Sequence, residues 1–183
     1  QSSHGGGPKT LRWIHSGPPA ENWSREPVLP VINAEPGYED LVAWNRPGRH
    51  TAFDVRQHAY YSLLAAPPAG VSYGAHGVWS WETEPGVPRD HPGTGRAHPW
   101  DVALHFPGGE DLGHLAELLV SVRGHQLRPI PSLVSPQPGK TDPSAFIAAA
   151  RTETGDLALI YLPSGGEITV RLDALASGLQ YFW

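Results

Sequence analysis

Residues 30–39 read Pro30-Val31-Ile32-Asn33-Ala34-Glu35-Pro36-Gly37-Tyr38-Glu39. A short apolar run bounded by turn-forming residues is the pattern of a buried strand. Here the run ends in an amide and a carboxylate, and the chain breaks at once at Pro36-Gly37. Polar groups at the C-terminal end of a strand are where a parallel α/β sheet presents its chemistry. Pro30 marks the strand's start, because proline cannot donate to a central ladder. Glu35 is therefore the first candidate for a catalytic carboxylate. The competing reading is a glutamate that merely closes the turn. Glu39 and Asp40, just beyond, are loop carboxylates and stand next in line.

Working outward, the sequence alternates. Before the strand, Pro8 suits the first position of a helix, and Leu11 and Ile14 lie on one face of it. Gly17-Pro18-Pro19 stops this helix, and a second short helical piece is expected over 20–25. After the strand, Thr51 and Asp54 form a capping-box pair. Val55, Ala59 and Leu63, spaced by four, predict a helix over 53–65 that Pro67-Pro68 ends. A second strand is expected at 71–75, a loop rich in Pro, Gly and His over 82–106, and a helix over 110–123 from Leu112, Leu115, Leu118, Leu119 and Val122. Residues 128–143 carry five prolines and no periodicity, which reads as a linker. Beyond it, short strands are expected at 145–151, 157–162, 168–172 and 180–183. Strand, helix, strand, helix and then strands alone predict parallel βα units followed by a small antiparallel β domain.

Composition bounds the function. The chain has 183 residues, a formal charge of −5 and 39% hydrophobic residues, enough for one sizeable core. Without basic runs it has no nucleic-acid footprint, and no apolar stretch nears the roughly 18 residues of a membrane span. Cysteine and methionine are both absent, so there is no disulfide and no thiolate metal site. The abrupt start at Gln1-Ser2-Ser3-His4 and the abrupt stop at Tyr181-Phe182-Trp183 read as a piece cut from a longer chain. Gly5-Gly6-Gly7-Pro8-Lys9-Thr10 lacks the spacing of a phosphate loop. No serine elbow is present. Asn22-Trp23-Ser24 matches a glycosylation sequon, a pattern common by chance.

The ends of successive strands supply His4, then Asn33 and Glu35 with Tyr38, then Tyr73, His76, Trp79 and Trp81. In a parallel sheet these ends face one side. A carboxylate with imidazoles, an amide and aromatic rings suits a sugar, since aromatic faces stack on C–H faces while His and Asn bond hydroxyls. Core filling is the competing role for the two tryptophans. Ten histidines raise a metal reading, but no H-E-x-x-H occurs, and His91, His98 and His105 sit in a polar loop, so no metal and no cofactor are expected.

These segments resemble the apiosidase-like glycoside hydrolases. The resemblance rests on Val31-Ile32-Asn33-Ala34-Glu35-Pro36-Gly37-Tyr38-Glu39, on Arg56-Gln57-His58-Ala59-Tyr60-Tyr61-Ser62-Leu63-Leu64-Ala65, on Tyr73-Gly74-Ala75-His76-Gly77-Val78-Trp79 and on Gly113-His114-Leu115. It implies a (β/α)₈ TIM barrel, of which residues 1–128 would be the C-terminal part, with 129–143 a linker. Residues 144–183, through Ile160-Tyr161-Leu162-Pro163 and Ile168-Thr169-Val170, resemble the start of the small β domain, of collagen-binding type, that follows the barrel in that family. The resemblance further implies hydrolysis of glycosidic bonds in plant-type or complex polysaccharides, Glu35 as one catalytic carboxylate with its partner on an earlier strand outside this sequence, and a secreted or periplasmic location. The alternative from another class is a non-catalytic module that binds carbohydrate or a matrix protein.

Overall fold

The computed structural model describes residues 5–182; residues 1–4 and 183, and with them the candidate His4 and the strand end expected there, lie outside the described part. Helix α1 (Pro8–Ser16) starts on its proline and buries Leu11 and Ile14, as their spacing predicts. Helix α2 (Pro18–Glu21) and a single 3₁₀ turn follow. Asn22 of the sequon-like triplet is buried, and its amide donates to the Pro18 carbonyl at 2.7 Å. It serves the turn rather than the surface.

Strand β1 (Val31–Asn33) alternates as a strand must: Val31 and Asn33 are buried, while Ile32 is 53% exposed. Helix α3 (Ala52–Ala65) has the expected capping box, with Thr51 Oγ1 accepting from the Asp54 N–H and the Asp54 carboxylate accepting from the Thr51 N–H at 2.7 Å. Strand β2 (Pro68–Val71) pairs in parallel with β1, Ile32 opposite Gly70 and Asn33 opposite Val71, completing a βαβ unit. The second strand thus lies earlier than the expected 71–75. Pairing begins at once after α3, where the Val31 N–H donates to the Pro67 carbonyl at 2.7 Å. Past Ser72, whose N–H still donates to the Asn33 carbonyl at 3.0 Å, the chain turns to the segment after Glu35: the Glu39 N–H reaches the Gly74 carbonyl and the His76 N–H the Glu39 carbonyl, each at 2.8 Å.

The stretch expected to be loop contains helix α4 (Trp100–Ala103), and helix α5 (Pro107–Ser121) begins three residues before the expected 110. Its apolar spacing starts only at Leu112, whereas Pro107 and a carboxylate from elsewhere fix the true start (below). Then come β3 (Arg128–Pro129), β4 (Val134–Ser135), β5 (Ala148–Arg151), β6 (Ala158–Tyr161) and β7 (Thr169–Val170). β3, β5 and β6 form one antiparallel sheet, and β4 pairs with β7 in another.

Residues 128–143 are therefore built into this β module. Two-residue strands between prolines are too short to show alternation, yet Leu133 is fully buried. The Gln137 amide brackets Ile147, donating to its carbonyl at 2.9 Å and accepting its N–H at 3.0 Å. Residues 180–182 carry no strand, and Tyr181 and Phe182 are exposed. Alternation along β5 joins the two parts. Ala148 and Ala150 face Leu11 and Ile14 of α1 and Tyr61 and Leu64 of α3, while Ile147 and Ala149 pack with Leu133 and Val134 inside the module. The Tyr61 hydroxyl clasps this seam, donating to the Phe146 carbonyl at 2.7 Å.

Candidate active site

Glu35 follows β1 on an exposed stretch, and the segment after it dives inward: Pro36 and Gly37 are buried. Four bonds fix that segment. The Gly37 N–H donates to His58 Nδ1 at 3.2 Å, the Glu39 backbone is laddered to Gly74 and His76, and the Asp40 N–H donates to the His50 carbonyl at 2.8 Å. At the strand's end the Ser72 hydroxyl donates to the Ala34 carbonyl.

Tyr38 is the aromatic neighbour of Glu35. Burial, and then the Glu35 charge beside it, push its hydroxyl pKa up. Its ring fills the space in front of Gly74, where an added Cβ would stand 2.3 Å from it.

Asn33 faces the other way. Its amide donates to Ser62 Oγ at 2.9 Å, and that hydroxyl donates on to the His58 carbonyl at 2.7 Å, so this side chain ties β1 to α3. Tyr73 donates its hydroxyl to Glu39 Oε2 at 2.6 Å, and burial together with that carboxylate raises its pKa. Glu39 is only 5% exposed, and it also accepts the Gly108 N–H at 2.9 Å. A carboxylate is thus set on one of the unpaired amides that open α5, where the helix dipole favours it. Gly108 leaves no room for a side chain, because a Cβ would lie 2.4 Å from Glu39 Oε2. The loop carboxylate next in line after Glu35 is a helix cap.

His76 is fully buried. Its Nδ1 lies 3.2 Å from both Arg49 Nη1 and the Asp40 carbonyl, and Arg49 is paired with the Asp40 carboxylate at 3.0 Å. Burial and the Arg49 charge lower the His76 pKa. Its ring lies parallel to Trp79 at 6.5 Å, and Trp79 meets the edge of His91 at 4.9 Å. Trp81 is 64% exposed and stacks on Trp100 at 4.8 Å and 3°. Its φ of +53° is a conformation that a bulky residue rarely adopts.

The predicted residues therefore fall into groups. Glu35 and Tyr38 are neighbours, His76 sits on the Asp40–Arg49 pair with Trp79 parallel to it, Tyr73 serves Glu39, and Asn33 serves the strand–helix contact. A cavity of about 520 Å³ lies instead between β2 and α5, lined by Leu63, Val71, Tyr73, Leu115 and Leu119 among others, and neither Glu35 nor His76 lines it. Among the described residues no three His, Asp or Glu side chains gather as metal ligands, and no helix is long and apolar enough to cross a membrane.

Sequence reasoning missed His50 and His58, both 2% exposed. They stand behind the Glu35 segment, their rings 5.7 Å apart and edge to face. The available signal was His58 on the inward face of α3, one residue before Ala59 and three after Val55.

Residues 1–125 match the family described as apiosidase-like, catalytic domain. The chain belongs to the apiosidase-like family. Among solved structures it is similar to a glycoside hydrolase family 5 protein from Bacteroides vulgatus, with 26% identity and a TM-score of 0.72 over 91% of this chain and 34% of that one. It is also similar in fold to a protein described as a glycoside hydrolase, with 24% identity and a TM-score of 0.66 over 86% of this chain and 36% of that one. The chain thus spans about a third of the length of these two structures. No curated protein sequence matches it. The apiosidase-like match covers α1 to α5, the α/β part that carries Glu35, and ends before the β module.

Proposed function

We propose that this chain supplies the C-terminal βα units of a glycoside hydrolase barrel, and that Glu35 is one of the two carboxylates that cleave the glycosidic bond. One placement supports this above all. Glu35 is an exposed carboxylate just past the C-terminal end of a parallel strand, within the part of the chain matched by the apiosidase-like catalytic domain. Barrel enzymes set their chemistry at that end of the strands.

In such hydrolysis one carboxyl protonates the leaving oxygen while the other attacks the anomeric carbon or activates water. Glu35 takes the second role, and its partner comes from a strand that precedes this sequence. Tyr38, beside Glu35, meets the sugar together with Trp79 and the exposed face of Trp81. His76, Tyr73 and Asn33 hold the surrounding segments in place. The substrates are glycosides of plant-type or complex polysaccharides.

Two measurements test the reading. In the full-length enzyme, Glu35→Gln lowers turnover of a suitable glycoside by about 10³-fold or more, with an unchanged circular dichroism melt. Wild-type-like turnover in that variant overturns it. The 183-residue chain alone, with one carboxylate of the pair, shows no hydrolysis.

A further inference from the structure

The segment carrying Glu35 has little secondary structure of its own. From residue 34 to residue 38 the chain makes no ladder with β2. Between the Ser72 hydroxyl on Ala34 and the backbone bonds of Glu39 and Asp40, a pair of buried imidazoles seats Gly37. The Gly37 N–H, two residues from Glu35, donates to His58 Nδ1 at 3.2 Å. An amide nitrogen only donates, so Nδ1 is an unprotonated acceptor and the ring's proton sits on Nε2. The other ring, His50, fills the place a Gly37 side chain would take: a Cβ there would lie 2.4–2.8 Å from three of its atoms. Both rings are 2% exposed, and they meet edge to face at 5.7 Å.

We propose that His58 is a positioning residue for Glu35, holding Gly37 through its neutral imidazole while the His50 ring seats the glycine from the other side. This rests on the reading of Glu35 given above. Protonating Nδ1 would set one N–H against another and release Gly37. Its burial above all keeps the ring neutral. Burial, and then the neighbouring His50, hold its pKa near 3; Arg46 acts in the same direction and Asp54, one turn earlier on α3, opposes them. At working pH the acceptor is always available. A displacement of about 1 Å at a reacting group can cost on the order of 10²-fold in rate, so a loosened Gly37 is read in turnover before it is read in stability.

The experiment compares Glu35→Gln, His58→Leu and His58→Asn in the full-length enzyme. Asn presents an acceptor near the place of Nδ1, whereas Leu fills space without one. The expected result is a 10–100-fold loss of kcat in His58→Leu with KM nearly unchanged. His58→Asn restores most of kcat. In parallel, NMR of the wild type finds Nδ1 unprotonated and the Gly37 amide protected from exchange; protection persists in His58→Asn and is lost in His58→Leu. Wild-type kcat in His58→Leu with the Gly37 amide exchanging freely overturns the positioning role. So does equal loss of kcat in both His58 variants. Full turnover in Glu35→Gln instead overturns the catalytic assignment, and with it any consequence of positioning, while the amide protection reports the His58–Gly37 bond independently.

Discussion

A carboxylate's neighbours decide what it can do, and the contrast between Glu35 and Glu39 rests on four residues of separation. Glu39 is buried with its oxygens committed to the Gly108 N–H and the Tyr73 hydroxyl, so its loss is a loss of structure. Glu39→Gln should destabilise the chain by roughly 1–3 kcal/mol, because the buried Gly108 N–H and the half-buried Tyr73 hydroxyl lose a charged acceptor; the shift in urea midpoint measures it. Gly108→Ala should weaken the same contact by forcing that carboxylate aside. Glu35→Gln, on an exposed stretch, should leave the midpoint within about 0.5 kcal/mol of wild type. At this scale the strand end was legible in the sequence, since the apolar run and the Pro-Gly break bracket the exposed Glu35. Sequence reasoning ranked Glu39 next as a loop carboxylate and did not show it to be a buried cap, because the groups that bury it come from residues 73 and 108. Nor did it reveal His50 and His58, whose partners are a backbone amide and a glycine.

Among the elements, α3 carries the largest load: its capping box sets its start, its inward face packs on α1 and β5, and Asn33 and Gly37 are bonded to its residues. Thr51→Ala removes the side-chain acceptor for the Asp54 N–H and should cost about 1 kcal/mol, read by chemical denaturation. Tyr61→Phe leaves the buried Phe146 carbonyl without the donated hydrogen bond and should cost about 1–2 kcal/mol. Both elements with strong periodicity, α3 and α5, were legible in the sequence, as was the parallel β1. The misplacements have a common cause. β2 is fixed by pairing with β1 rather than by its own pattern, α5 starts where Pro107 and Glu39 start it, and β3 and β4 are too short for any periodicity to form.

Over the whole molecule, buried imidazoles link stability to pH. His58 is held near pKa 3 by burial and His50, and His15, stacked on Phe146 at 4.0 Å, near 4 by burial and Arg12. Both values lie below the ordinary 6.5, so the unfolded chain binds protons that the folded chain refuses. Stability is therefore full above pH 6.5 and falls as pH drops from 6.5 toward 4. Unfolding in that window should take up about two protons from these sites, measurable from the pH dependence of the urea midpoint. A midpoint that stays flat or rises on acidification would contradict the burial of these rings. Finally, the Trp81–Trp100 stack has a use apart from chemistry. Two parallel indoles 4.8 Å apart are coupled chromophores, whose excited states mix and give a paired signal in circular dichroism. Anything that settles on the open face of Trp81 perturbs both at once, so this loop carries its own optical reporter, readable without a label.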